Sequence, residues 1–102
     1  MGKVKLETYI MNLVELVGDI KNVNDDLIVF LENREDFKSN VIISEGMDGD
    51  NGIKVDNGKK YYYLIEIFLA KEFIEDWLQS IEFSPSPDEI AKRLYDYAIN
   101  DA

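Results

Sequence analysis

The chain has 102 residues, with 21 Asp and Glu against 11 Lys and Arg, a net charge of −10, and neither histidine nor cysteine. That balance argues against direct contact with nucleic-acid phosphates or an anionic membrane and favours a partner surface rich in Lys and Arg. It also withdraws the side chains most used for proton transfer near neutral pH, thiol nucleophiles and thiolate metal sites, so an enzyme would have to work with carboxylates, hydroxyls, lysine or tyrosine.

Leu6, Tyr9, Ile10, Leu13, Val14, Val17 and Ile20 stand three and four residues apart and predict a first amphipathic helix over residues 6–21. Leu27-Ile-Val-Phe-Leu31, β-branched and aromatic but too short for a typical helix, reads as a buried strand, and Val41-Ile-Ile-Ser-Glu45 as a second. Gly46, Gly49, Gly52 and Gly58, with the dipeptides Asn51-Gly52 and Asn57-Gly58, mark one or two hairpin turns around a short Ile53-Lys-Val55 strand. Lys60 to Leu69 alternates well enough to be the longest strand.

From Lys71 the period becomes helical, with Phe73, Ile74, Trp77, Leu78 and Ile81 on one face and Glu72, Glu75, Asp76, Gln79 and Glu82 on the other. Ser84-Pro-Ser-Pro87 ends that helix. Ser86-Pro87-Asp88-Glu89 then supplies an N-cap serine, a first-turn proline and a glutamate at the third helical position, opening a last helix to about Asn100. The fold class expected is α+β: an N-terminal helix, a small antiparallel sheet of three or four strands and two C-terminal helices, in one domain over residues 1–102. At 46% hydrophobic and 12% aromatic the composition can fill a single core. Glu7, Asn12 and Glu15 break the apolar run after Lys3 and Lys5, and Tyr61 to Ala70 is too short to span a bilayer and is interrupted by Glu66. A soluble cytoplasmic protein is therefore expected.

Asp48-Gly-Asp50-Asn-Gly52 has the look of a calcium loop, but counting from Asp48 the fifth, sixth and twelfth positions are Gly52, Ile53 and Lys59, where an oxygen ligand, glycine and glutamate are required. A hairpin turn is the better reading, and no metal site or cofactor is assigned. Glu66, inside an apolar strand, is a candidate general acid or base by burial, without a histidine or second group to accompany it. Strand alternation would put it on one face with Tyr62, Leu64 and Phe68. Tyr62 is the tyrosine of Tyr61-Tyr62-Tyr63 best suited to anchor a partner.

Charge spacing separates the last two helices. In the third, Asp88 with Lys92, Glu89 with Arg93 and Lys92 with Asp96 are opposite charges four apart. In the second, Glu72, Glu75, Asp76, Gln79 and Glu82 form an acidic stripe whose only local cation is Lys71, and each repulsive pair should cost about 0.2–0.5 kcal/mol. These five residues and Tyr62 are the candidate partner-binding residues; no catalytic residue is assigned. Glu32, Glu35 and Asp36, with Asp25 and Asp26, form a second acidic group, partly neutralised by Arg34 and Lys38.

In size, acidity, lack of histidine and cysteine, and mixed α+β order, the chain resembles the immunity proteins of bacterial toxin systems, including contact-dependent inhibition. The resemblance holds for the whole chain at the level of class and transfers no residues. It implies a cytoplasmic, non-catalytic protein that binds a basic toxin domain, often a nuclease, and blocks its active site or substrate surface. Two further readings are a phage-type nucleic-acid mimic that inhibits a host defence nuclease, and a small carboxylate-dependent enzyme or ligand-binding domain centred on Glu66. A homodimer formed through a strand edge or sheet face is a third.

Overall fold

A computed structural model describes residues 11–45 and 52–101, which run β1 (Met11–Asn12), α1 (Leu13–Gly18), a 3-10 turn (Ile20–Asn22), β2 (Ile28–Leu31), β3 (Asn40–Ser44), β4 (Ile53–Asp56), β5 (Lys59–Glu66), α2 (Ile67–Ser80) and α3 (Pro87–Asp101). Every strand pairing is antiparallel, in the order β1-β3-β2-β5-β4. The α+β class is as expected, with five strands among the described residues in place of three or four.

The additional strand comes from the stretch expected to be helical. Met11 and Asn12 pair with Val41 and Asn40. Asn12 then caps α1: its Oδ1 accepts the Glu15 N–H at 2.9 Å while Glu15 Oε1 accepts the Asn12 N–H at 3.0 Å. This reciprocal box starts the helix at Leu13, because Asn12 is held extended at φ −109° and ψ 175°. The first helix is thus much shorter than predicted within the described residues, and Leu6, Tyr9 and Ile10 lie outside them. So do Gly46, Asp48, Gly49, Asp50 and Asn51; of the first predicted turn dipeptide only Gly52 is described, at φ 79°. At the second, Asn57 (φ 52°) and Gly58 (φ 79°) are both left-handed, the backbone a two-residue turn between right-twisted strands demands.

Sheet register sorts the apolar residues into two layers. Val29, Leu31, Val41, Leu64 and Ile65 pack against Leu13, Leu16, Val17 and Ile20, against Ile67, Ala70 and Ile74 of α2, and against Ala91, Leu94 and Ala98 of α3, all buried. On the opposite face Phe30, Ile42 and Tyr61 form a smaller buried cluster joined by Ile28 and Tyr63. The Phe30 and Tyr63 rings meet edge to face at 6.4 Å.

A bulge changes the alternation of β5. Val29 stands opposite Ile65 but Phe30 opposite Tyr63, so Leu64 is the extra residue, and Leu64 and Ile65 both enter the helix-side core. Glu66 consequently lies opposite Ile28, with the layer of Tyr61 and Tyr63, rather than on the face of Tyr62 and Leu64. The strand also ends sooner than alternation suggested. The Ile67 N–H donates to the Leu27 carbonyl at 2.9 Å, and from there Ile67, Ala70 and Ile74, spaced by three and four, turn one buried face inward. Phe68 and Leu69 therefore belong to α2.

Two cross-chain links tie loops to helices. Lys71 Nζ donates to the Val23 carbonyl at 2.7 Å and to Asp25 Oδ1 at 2.5 Å, and the Tyr95 hydroxyl donates to the Arg34 carbonyl beside the Phe37 ring.

Candidate functional site

The site begins with the amphipathicity of α2. Burying Ile67, Ala70 and Ile74 turns Glu72, Glu75, Asp76 and Gln79 outward, and all four are exposed. None of their side chains makes a hydrogen bond or ion pair among the described residues. Lys71, the one cation of α2 itself, is held by the Val23–Asp25 segment. Glu72 and Asp76, one turn apart, therefore face each other without a counter-charge on their own helix.

Glu82, predicted on the same stripe, is not on the helix. Ile81 is extended at φ −116° and ψ 161°, and α2 ends at Ser80, whose Oγ donates back to the Trp77 carbonyl at 2.7 Å. Glu82 is exposed in the connector to α3. Its spacing to Glu75 therefore no longer counts as a repulsive pair on one helix face, because the chain has already left the helical path.

Trp77 lines two grooves, of which the smaller borders the stripe. The larger, about 630 Å³, is bounded by Phe37 and Lys38 of the β2–β3 loop, Trp77 and Ile81, the connector residue Phe83, and Asp88, Glu89, Lys92 and Arg93 along the first two turns of α3. The smaller, about 340 Å³, lies between Glu72, Asp76 and Trp77 on one side and Tyr97 on the other, over the stacked rings of Phe73 and Tyr97 at 4.4 Å. Phe83 is 58% exposed, a large apolar side chain left at the mouth of the larger groove. The Arg93 guanidinium stacks on the Trp77 ring at 5.1 Å. A third groove of about 310 Å³ flanks the other side of the stripe, with Lys71, Glu75, Leu78 and Gln79 facing Ile20 and Lys21.

Sequence periodicity placed Trp77, Leu78 and Ile81 on the core side. They are at its margin instead: Trp77 and Ile81 are half-buried and Leu78 is 39% exposed. Phe83 and Arg93 were missed as site residues. An aromatic just after the end of a helical pattern, with no periodic partner, is the signal that was there for Phe83. The expected Glu89–Arg93 pair is absent because each group has another use. Glu89 Oε1 accepts the Ser86 N–H at 2.9 Å and the Glu89 N–H donates to Ser86 Oγ at 3.2 Å, which is the predicted capping box. Of the three pairs expected on α3, Lys92 with Asp96 forms, at 2.9 Å.

Tyr62 is not gathered into this surface. It is half-buried on β5 and lines a separate shallow recess with Glu32, Asn33, Arg34 and Glu35. The second acidic group is largely absorbed in local structure. Asp25 holds Lys71, Glu32 lies 3.6 Å from Lys59, and Asp36 Oδ1 accepts the Lys38 N–H in a turn.

Glu66 stands at the junction of β5 and α2, half-buried, and lines none of these four grooves. Its clearest effect is on Tyr63, whose phenol is pushed above its ordinary range by burial and then by the Glu66 charge. Burial does the same to Tyr61, with Glu32 and Asp56 adding to the rise and Lys59 opposing it. No group of three or more carboxylates poised for a metal ion occurs among the described residues. Nor is any described helix long and apolar enough to cross a membrane.

No protein-family model matches the chain, no curated protein matches its sequence, and no solved structure matches its fold.

Proposed function

We propose that this is a non-catalytic binding protein that receives a basic protein partner on α2, its acidic stripe steering the partner in and Trp77 with Phe83 supplying the short-range anchor. The observation that carries the reading is that Glu72, Glu75 and Asp76 have no partner among the described residues, and that Glu72 and Asp76 line, with Trp77, Phe73 and Tyr97, an aromatic groove of about 340 Å³. Charge at that density accelerates encounter, whereas desolvated aromatic contacts dominate affinity. Gln79, exposed one turn beyond Glu75, adds a neutral hydrogen-bonding group, and Glu82 extends the negative potential past the helix end.

The partner class most compatible with this chemistry is a basic toxin domain, and the role that of a cytoplasmic immunity protein which covers the toxin's substrate-binding face. The nucleic-acid-mimic reading shares the charge but not the groove, since a phosphate track gives no use to Trp77 and Phe83. Tyr62, on its separate recess, is a secondary contact at most.

The test is capture of basic proteins from bacterial lysate at low salt, followed by assay of the captured protein with and without the chain. The expected result is one basic partner whose activity is suppressed stoichiometrically by the wild-type chain and not by Trp77→Ala. Suppression that survives both Trp77→Ala and Glu75→Lys with Asp76→Lys would place binding elsewhere.

A further inference from the structure

We propose that the outer edge of β4 pairs with β4 of a second copy of the chain, antiparallel, about a two-fold axis through Val55. The hairpin geometry determines which backbone groups are offered. Asp56 and Lys59 close the Asn57-Gly58 turn and so form a hydrogen-bonded pair, and bonded and non-bonded pairs alternate from there. The Tyr63 N–H, donating to the Gly52 carbonyl at 2.7 Å, keeps that phase. Lys54 and Asp56 therefore bond inward to β5, while the N–H and C=O of Ile53 and Val55 point away from it. Among the described residues β4 is the last strand of the sheet on this side. Both outward residues are β-branched and open to solvent, Ile53 at 38% and Val55 at 65%. An accessible β-branched edge of this kind is a template for another strand.

Charge then selects the register. Outward groups meet outward groups in an antiparallel two-fold pair only when the axis passes through a residue. An axis through Lys54 sets Lys54 against itself, one through Asp56 sets Asp56 against itself, and one through Ile53 leaves Lys54 with no charge opposite. The axis through Val55 sets Lys54 opposite Asp56 of the other copy, twice, in non-hydrogen-bonded positions where side chains approach most closely. Val55 then exchanges both of its free backbone bonds with its own counterpart. Repulsion between two chains of charge −10 is eased at this edge, because residues 53–60 carry Lys54, Lys59 and Lys60 against the single Asp56, and it is screened beyond about 8 Å at physiological salt.

Sedimentation equilibrium of the full chain from micromolar to millimolar concentration reads this directly. The mass should rise from the 11.8 kDa of the monomer toward twice that value. Lys54→Asp should raise the dissociation constant about tenfold or more, and adding Asp56→Lys should bring it back to within about threefold of the wild type, since the two cross-strand pairs are reversed rather than lost. Val55→Pro deletes the outward N–H without touching a bond to β5 and should abolish association. Circular dichroism confirms that each variant is folded, and the swap separates loss of pairing from loss of fold. A mass that stays at the monomer value to millimolar concentration, or a dimer indifferent to Lys54→Asp or to Val55→Pro, overturns the proposal.

Discussion

In α3, Asp96 holds Lys92 at 2.9 Å and Glu89 closes the helix start through Ser86, whereas in α2 the side chains of Glu72, Glu75 and Asp76 have no partner among the described residues. Both helices bury one apolar face in the same core, so packing does not distinguish them. What differs is what their acids do for the isolated protein. Those of α3 stabilise it through an ion pair and a cap; those of α2 repel one another on the outer face of a helix whose one cation is held by the Val23–Asp25 segment. A surface that carries such a cost beside an accessible apolar groove is suited to a partner that relieves both.

The comparison can be broken first at Lys71. If its charge serves the Val23–Asp25 turn and not the stripe, Lys71→Met should destabilise the fold by about 1–2 kcal/mol in chemical denaturation, because a partly buried charged hydrogen bond is lost. A double-mutant cycle should couple Lys71 to Asp25 and leave it uncoupled from Glu75. Next in size, Ser86→Ala should cost about 1 kcal/mol by removing the α3 cap.

Alkaline titration separates the sheet's second face from both helices. Tyr61 and Tyr63 have phenol pKa values raised in the folded state, so their contribution to stability is complete below the unfolded value of about 10 and is lost as pH rises through the folded values. Unfolding monitored from pH 9 to 12 should show this fall, and Tyr63→Phe should reduce it. The smallest effect has the most telling sign. Asp76→Lys places a lysine four residues after Glu72 and should stabilise the protein by about 0.3–0.5 kcal/mol, while Asp96→Lys, which opposes Lys92, should destabilise it by a similar amount.

Much of this was legible in the sequence where local chemistry and tertiary context agree. The Ser86 to Glu89 box and the Asn57-Gly58 turn each carry their own backbone requirement, and both formed where the residues demanded. Boundaries failed where an apolar run satisfies two periods at once. Ile65, Ile67 and Leu69 fit a strand, yet Ile67, Ala70 and Ile74 fit a helix, and the hydrogen bond from Ile67 to Leu27, invisible in sequence, settled the division. The Leu64 bulge likewise moved Glu66 to the other sheet face, because alternation counts residues and not ladder partners. Glu72, Glu75, Asp76 and Gln79 were placed correctly as exposed because amphipathicity fixes the outer face of α2. Phe83 and Arg93 were not anticipated, since the groove they line is made by a connector and by a contact between helices.

The central claim is that the acidic face of α2 governs how a basic partner arrives. Its most direct test is the association rate of the captured partner, measured by stopped flow at low and at high salt, with the wild-type chain and with Glu75→Lys plus Asp76→Lys. The account predicts a wild-type rate that falls steeply with salt, and at low salt a rate reduced about tenfold or more by the reversal, the two proteins converging at high salt. Equal rates for the two proteins at low salt would contradict it.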